Sequence, residues 1–478
     1  MKLENTNITA LIEEAENLLT KEKEISSALK VSFKLILIVM KLLVDRLGLN
    51  SSNSSIPPSQ DPNREKKQKS NKKKNVGGQK GHKGHSIEKI SDPEIIKDIP
   101  IDRSKYPEAD YKEVGFESRQ VIEINISRAV IEYRAQIVAD KKGHCFTADF
   151  PKGVNRPVQY GNSVKAHSVY FSQYQLVPYK RVEEHFKDWL NLPISTGSIY
   201  NFNLDVYNRL ELFEHIIKEQ LLSEKFLHVD ETGINIGGKR KWLHCISNLL
   251  WTYYYPHEKR GSEAMDQMGI LPKFQGLLCH DHWKPYYKYN CTHCLCNAHH
   301  LRELQRAFEV DSYKWAKNMM NLLLEVSHAT IVADGQLAVK DSKKYRHRYD
   351  KIIEEGEIKC PPPDEKQRQK GQRGRLKRSK SRNLLERLKN FKDDVLRFMD
   401  NPIVAFTNNQ GERDIRMIKV QQKISGSFRS MKGAQIHGRI KSYLSTCSKH
   451  KIGTKEALEI LFQDKLPDFC TSKIKSAE

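Results

Sequence analysis

Apolar residues recur at helical or strand spacing in separate blocks along this chain, and the blocks predict its organisation. Residues 1–50 contain no Pro, and no Gly before Gly48, so they predict a continuous helix. Leu11, Leu18 and Ile25 recur every seven residues, as do Leu29, Ile36 and Leu43, giving a coiled-coil-like seam that Glu22 and Ser32 interrupt. The same spacing also suits an amphipathic helix packed on its own chain. In residues 51–86 the pattern stops: Ser, Asn and Pro give way to Arg64-Glu-Lys-Lys-Gln-Lys-Ser-Asn-Lys-Lys-Lys and Gly77-Gly-Gln-Lys-Gly-His-Lys-Gly-His. Such a stretch buries too little apolar surface to fold, and a basic flexible linker is expected. Residues 87–155 alternate (Val121-Ile-Glu-Ile-Asn-Ile, then Ala129-Val-Ile-Glu-Tyr-Arg) and predict a small β-rich module. Residues 156–222 predict helices. Arg181 to Leu190 is periodic, Leu192-Pro193 breaks it, and Ser195 or Thr196 can cap a second helix through Ile199 and Phe202. A helix-turn-helix DNA reader fits that spacing, and so does an ordinary pair of core helices.

Beyond residue 222 the period changes to that of strands. Lys225 to Val229 predicts a strand ending at Asp230, followed by a Gly237-Gly238 turn, then by Lys241-Trp-Leu-His-Cys-Ile-Ser and Leu249-Leu-Trp-Thr-Tyr-Tyr-Tyr. Ser262 to Met268 predicts a helix, and Gly276-Leu-Leu-Cys-His a fourth strand ending at Asp281. Three strands, a helix and a fourth strand open an α/β, ribonuclease-H-like fold, in which the first and fourth strands are neighbours. Asp230 and Asp281 are then positioned to reach the same metals. Between Asp281 and Glu412 lie 131 residues (412 − 281), mostly helical in pattern. The expected division is a catalytic core at 223–310 and 400–450, a helical insertion at 311–399 carrying the basic run Lys366 to Arg382, and a C-terminal tail at 451–478.

Glu412 lies in Thr407-Asn-Asn-Gln-Gly-Glu-Arg. If the segment is helical from Asn408, then Asn409, Glu412, Arg413 and Arg416 fall at i, i+3, i+4 and i+7 on one face. That face pairs a metal-binding carboxylate with two guanidiniums able to grip phosphates. Lys423-Ile-Ser-Gly-Ser-Phe-Arg-Ser-Met-Lys predicts a flexible basic loop against a DNA backbone, with Lys423 and Arg429 as contacts. Composition agrees with a polyanionic partner. A net charge of +22 and a pI near 9.4 favour nucleic acid or an anionic surface. The longest apolar run, Val31 to Val44, is broken by Lys34 and Lys41 and is too short for a bilayer, so no membrane partner is expected. No leader pattern opens the chain, which predicts no export. Nine cysteines, an odd number, with several clustered at 291–296, predict reduced thiols.

The chain resembles the transposases of the insertion-sequence-66 family over nearly its whole length. The resemblance rests on Asn50-Ser-Ser-Asn-Ser-Ser-Ile-Pro-Pro-Ser, Gly77-Gly-Gln-Lys-Gly-His-Lys-Gly-His, Val229-Asp-Glu-Thr-Gly, Cys296-Asn-Ala-His-His-Leu-Arg-Glu-Leu, Thr407-Asn-Asn-Gln-Gly-Glu-Arg and Lys423-Ile-Ser-Gly-Ser-Phe-Arg-Ser. It implies that Asp230, Asp281 and Glu412 are the DDE triad, with Glu231 as second choice for the first ligand. It implies two Mg²⁺ ions (Mn²⁺ also fits), double-stranded DNA at transposon ends and target, and a homo-oligomer. Small accessory transposition proteins and a bacterial, nucleoid-associated cytoplasmic setting follow from the same likeness. The sequence departs from the family where a cysteine-rich, zinc-finger-like module is usual. Ile101-Asp-Arg-Ser-Lys-Tyr-Pro-Glu-Ala-Asp has no cysteine and only Cys145 is near, so zinc is not expected there. Cys291, Cys294, Cys296 and His299 form a second set of zinc-type ligands, crowded into nine residues; packing of a helix start is the alternative. His282 and His299 lie near the carboxylates in sequence, with no general-base role required. A silent DNA-binding descendant of a transposase and a ribonuclease-H-like nuclease are the rival readings.

Overall fold

The computed structural model describes residues 6–22, 25–47, 87–364 and 376–470, with isolated positions between 2 and 63 and at 374. Nearly all of the expected linker at 51–86, residues 365–373 of the second basic run, and residues 471–478 lie outside the described residues.

The single N-terminal helix predicted is two helices, α1 (Ile8–Lys21) and α2 (Ser27–Leu47), packed on each other. Ser26 makes the break: its Oγ accepts the Leu29 N–H at 3.3 Å and starts α2 as a cap. Ile12 and Leu19 are buried, whereas Leu29, Ile36 and Leu43 of the predicted seam are each about half exposed. The expected β-rich module is also corrected. Residues 87–155 form only a 3₁₀ turn at Arg103–Lys105 and an antiparallel ribbon of β1 (Ile137–Ala139) and β2 (Cys145–Thr147). Val121, Ile124 and Val130 are more than three-quarters exposed. Their alternation suits a half-buried strand, but among the described residues no neighbouring strand pairs with them.

From residue 157 the chain packs tightly. Helices α3 (Asn162–Val169), α4 (Tyr179–Leu190), α5 (Thr196–Arg209) and α6 (Glu211–Ser223) precede the sheet. Asn191 closes α4 in the left-handed region (φ 47°), and Ser195 caps α5 by accepting the Ser198 N–H at 3.1 Å, as its sequence predicts. Val182, Phe186, Ile199, Val206, Phe213 and Leu221 share one core with Leu227, Val229 and Ile246 of the sheet.

The sheet has five strands: β3 (Phe226–Ile236), β4 (Lys239–Ser247), β5 (Thr252–His257), β6 (Leu277–His280) and β7 (Thr292–Leu295), in spatial order β5-β4-β3-β6-β7. The first three are antiparallel, and β6 and β7 run parallel to β3. Gly237 and Gly238, at φ 58° and 79°, make the two-residue turn between β3 and β4 that only positive φ allows. β3 does not end at Asp230; it continues six residues further, with Asp230 opposite Cys245. Helix α7 (Ser262–Met268) links β5 to β6.

Helices α8 (Asn297–Glu309), α9 (Lys314–Val332), α10 (Val339–Lys359), α11 (Lys380–Asn390) and α12 (Lys392–Asp400) build a second core around Trp315, Met319, Leu323, Tyr349 and Leu385. It joins the sheet through Cys279, Cys294 and Leu295. α13 (Asn409–Ser425) covers β3 and β4, where Ile415 and Ile418 meet Ile234 and Leu243. α14 (Met431–Lys449) lies on β5 so closely that a Cβ on Gly438 would stand 3.1 Å from Pro256 Cδ. The expected tail holds α15 (Thr454–Phe462), whose Ala457, Leu458 and Leu461 are buried in the first core. Among the described residues no helix is long and apolar enough to cross a membrane.

Candidate carboxylate site

The parallel pairing of β3 with β6 fixes two carboxylates at one level. Phe226 pairs with Leu277, Leu227 with Leu278 and His228 with Cys279, an offset of 51 residues (277 − 226). The same offset relates Asp230 to Asp281 (281 − 230). Asp281 follows the last residue of β6, where His282 turns the chain at φ 71° and the Asp281 carboxylate accepts the Trp283 N–H at 2.9 Å. A side chain with a β-carbon in that conformation is strained, and the strain falls beside the carboxylate.

Glu412 comes from the first turn of α13, and Asn408 places it. The Asn408 amide donates to Val229 O at 2.7 Å and accepts from His228 Nδ1 at 2.7 Å, while its backbone N–H points at Cys296 Sγ at 3.1 Å. The start of α13 is thereby fixed to the strand residue just before Asp230. Asn408 is 2% exposed. Gly411 lets it fit, because a Cβ there would stand 3.1 Å from the Asn408 Oδ1. Behind this contact, Lys449 ties Asp414 of α13 (2.8 Å) to the carbonyls of Asn248 and Trp251. Sequence reading missed Asn408; the signal was an amide immediately before a predicted helix, which was read only as a helix start.

The carboxylates are close enough to repel. Burial, then Glu231, Asp281 and Glu412 in turn, push the Asp230 carboxyl up to about 8. Its Oδ1 accepts the Glu231 N–H at 2.9 Å, and among the described residues no salt bridge reaches Asp230 or Asp281. Glu231 differs. Its side chain is 2% exposed, Oε1 takes Arg260 Nε and Nη2 at 2.9 and 2.6 Å, and Oε2 takes the Tyr286 hydroxyl. Arg260 is itself held between the rings of Trp242 and Trp283. Both Glu231 oxygens are therefore engaged within the fold, whereas among the described residues no cationic side chain forms an ion pair with Asp230.

This repulsion predicts a pH dependence. A carboxyl raised in the folded state favours folding below its unfolded pKa, and that contribution is lost as pH rises through the folded value. Without divalent metal, the melting temperature of wild type minus that of Asp230→Asn should fall between pH about 4 and about 8 and level off above. A difference that stays constant across that range would show that Asp230 does not bear this strain.

The remaining predicted residues are placed as follows. His282 is buried against Phe391 and Tyr287, with burial lowering its pKa to about 4, so it is a neutral packing residue at pH 7. Cys291 and Cys294 do not join Cys296 and His299. Cys294 lies in β7 opposite Cys279, so the four-residue zinc set is not assembled. Among the described residues, Cys296 and His299 instead group with Glu412. Arg413 and Arg416 are exposed on α13, as their spacing predicts. Lys423 is in the last turn of α13, not in a loop. The loop is short, Gly426 to Ser430, and Phe428 pins it by exchanging backbone hydrogen bonds with Asn235 and Gly237. Arg429 is exposed on it. A cavity of about 510 Å³ lined by Leu277, Thr292, Arg346 and Asp400 opens at the other ends of β6 and β7 and takes no part in this site.

Fold and site together define a class: a mixed α/β protein with carboxylates from one strand, from just past the end of its parallel neighbour and from a covering helix brought to one place. The family model described as Transposase IS66 family matches residues 157–436, which is 280 of 478 residues (436 − 157 + 1), and the chain belongs to that family. Membership makes it a transposase by family, with DNA as partner and divalent metal use as family traits. Residues 4–88 match a separate family of unknown function (DUF6444). A search of curated proteins finds no match.

Proposed function

We propose that this protein is a DNA transposase that binds the ends of its element and carries out divalent-metal-dependent strand cleavage and strand transfer at Asp230, Asp281 and Glu412. The observation that carries this reading is the convergence just described. Asp230 lies on β3 and Asp281 directly follows the neighbouring parallel strand β6 at the same offset, and Asn408 fastens the start of the Glu412 helix to Val229. The sheet order, with three antiparallel strands followed by two parallel ones, supports a ribonuclease-H-like core interrupted by the helices between β7 and α13.

The donor set fits Mg²⁺ or Mn²⁺: hard carboxylate oxygens from three elements, with mutual repulsion that a cation relieves. Asp230, Asp281 and Glu412 would hold the metal, and Glu231, bound by Arg260 and Tyr286, would brace the strand beside it. When bound, a metal pair supplies stabilisation of the attacking and leaving oxygens in an in-line displacement at phosphorus. The chain's own residues do the positioning. Asn408 sets the height of Glu412 over β3, and the turn at His282 aims Asp281 out of the sheet. Arg413 and Arg416 flank Glu412 on the exposed face of α13 and would hold the scissile strand. α4 and α5, with a capped turn between them, are the candidate reader of end sequence.

The phosphate-gripping role has its own measurement. Arg413→Ala and Arg416→Ala should each weaken DNA binding about equally on all sequences, and each should reduce the slope of log affinity against log salt by about one. An unchanged slope in both would remove them from the interface. The function itself is tested with the element's end DNA, a scrambled duplex and Mg²⁺. Joined product from end DNA alone supports the transposase. Cleavage of both duplexes without joining indicates a nuclease, and end binding without cleavage indicates a silent binder.

A further inference from the structure

Cys291, Cys294, Cys296 and His299 are zinc-type ligands close in sequence, and the fold groups only two of them, with Glu412. Cys296 ends the turn after β7 and precedes α8, while His299 lies in the first turn of that helix. Cys296 Sγ and His299 Nδ1 each stand 3.9 Å from Glu412 Oε1, and the ligand atoms of the three residues all lie within 4.8 Å of one another. Tetrahedral zinc with bonds of about 2.0–2.3 Å needs ligand atoms about 3.5 Å apart, so contraction by at most about 1.3 Å (4.8 − 3.5) completes the set.

Two further observations point to a ligand. Among the described residues, His299 Nδ1 is buried with no hydrogen-bond partner, and Glu412 Oε1 stands 3.9 Å from it. Cys296 Sγ receives the Asn408 N–H at 3.1 Å and faces the backbone N–H groups of Ala298 and His299 at the helix start. These N–H groups fix the position of the sulfur beside His299 and Glu412.

We propose that Cys296, His299 and Glu412 form a binding site for a soft divalent cation of the Zn²⁺ class, distinct in chemistry from the all-carboxylate site and sharing Glu412 with it. On binding, the Cys296 S–H proton leaves to solvent. Bonds then form from Sγ, from a His299 ring nitrogen and from one Glu412 oxygen, with a fourth position open to solvent. Thiolate and imidazole select Zn²⁺ over Mg²⁺, whereas Asp230 and Asp281 prefer the harder ion. Because one carboxylate serves both sites, zinc withdraws Glu412 from the other. This consequence rests on the proposed function; the binding itself does not.

The test uses full-length protein and Co²⁺ as a spectroscopic stand-in for Zn²⁺. Wild type should bind Co²⁺ with a thiolate-to-cobalt charge-transfer band and tetrahedral d–d bands, both removed by added Zn²⁺. Cys296→Ser should abolish the charge-transfer band, and His299→Gln should weaken Co²⁺ binding about tenfold or more. Cys145→Ser and Cys291→Ser should leave the spectrum unchanged. Should Cys296→Ser fail to fold, His299→Gln and Glu412→Gln decide the question by loss of affinity. No charge-transfer band in wild type, or one that survives Cys296→Ser, overturns the site. A second arm adds Zn²⁺ to strand-transfer reactions at fixed Mg²⁺, where inhibition is expected. If no strand transfer occurs in any condition, the functional reading fails while the Co²⁺ result still decides the metal site.

Discussion

Asp281→Ala should lower strand cleavage and strand transfer at least about 10³-fold, which is about 4 kcal/mol in activation free energy. The same substitution should leave the melting temperature in metal-free buffer unchanged or raise it. The two outcomes have one cause. Asp281 stands level with Asp230 and adds to the charge that pushes the Asp230 carboxyl up to about 8, so its removal relieves the empty site while stripping the filled one of a ligand. A residue kept for folding shows the reverse, with stability lost alongside activity. Asp230→Asn should follow the same pattern. Glu231→Gln should not: it removes the charge that Arg260 and Tyr286 are arranged around, and its main effect should be a lower melting temperature. Activity assays and thermal melts of the three variants, side by side, separate ligands from supports.

Asn408→Ala should reduce strand transfer about 100-fold with end-DNA affinity held within about twofold. The side chain touches no substrate in this account; it is a positioning residue. Its loss leaves Val229 O and His228 Nδ1 without their partner in a buried setting, at a cost of about 1–3 kcal/mol for each orphaned group. The start of α13 is then free to shift, and a displacement of about 1 Å in a catalytic group costs about 10²-fold in rate. A purely structural role would lower stability and DNA affinity together and would leave the rate per folded, bound complex unchanged. Single-turnover rates on pre-bound end DNA, with affinity measured separately, therefore decide between the two.

Much of the site was legible because it rests on local patterns. The strands that carry Asp230 and lead into Asp281 follow from short apolar runs, although β3 runs on to Ile236 instead of ending at Asp230, and the Glu412 helix follows from i, i+3, i+4 spacing; α13 begins at Asn409, within a residue of the expected start. Ser195 declared itself as a cap for the same reason. What escaped depends on contacts distant in sequence. Asn408 acts on Val229, 179 residues away, and no window of sequence carries that. Strand β7 lies inside what looks like a metal cluster, because Cys and His suit ligation as well as packing, and here Cys294 packs beside Cys279. The alternation in 87–155 predicts strands that find no sheet neighbours among the described residues, and periodicity alone gives no information about partners. The break between α1 and α2 turns on one capping serine in a run with no Gly or Pro, a weaker signal than the heptad spacing around it.

The most direct measurement is a metal-specificity switch at Asp281. Asp281→Cys is assayed for strand transfer on end DNA with Mg²⁺ and with Mn²⁺, beside wild type and Asp281→Ala. A thiolate is a poor ligand for Mg²⁺ and a better one for the softer Mn²⁺. If Asp281 binds the metal directly, Asp281→Cys is inactive with Mg²⁺ and regains activity with Mn²⁺, while Asp281→Ala is inactive with both. Equal activity of Asp281→Cys with the two ions, or strand transfer by Asp281→Ala at the wild-type rate, would contradict the placement of the metal between Asp230, Asp281 and Glu412.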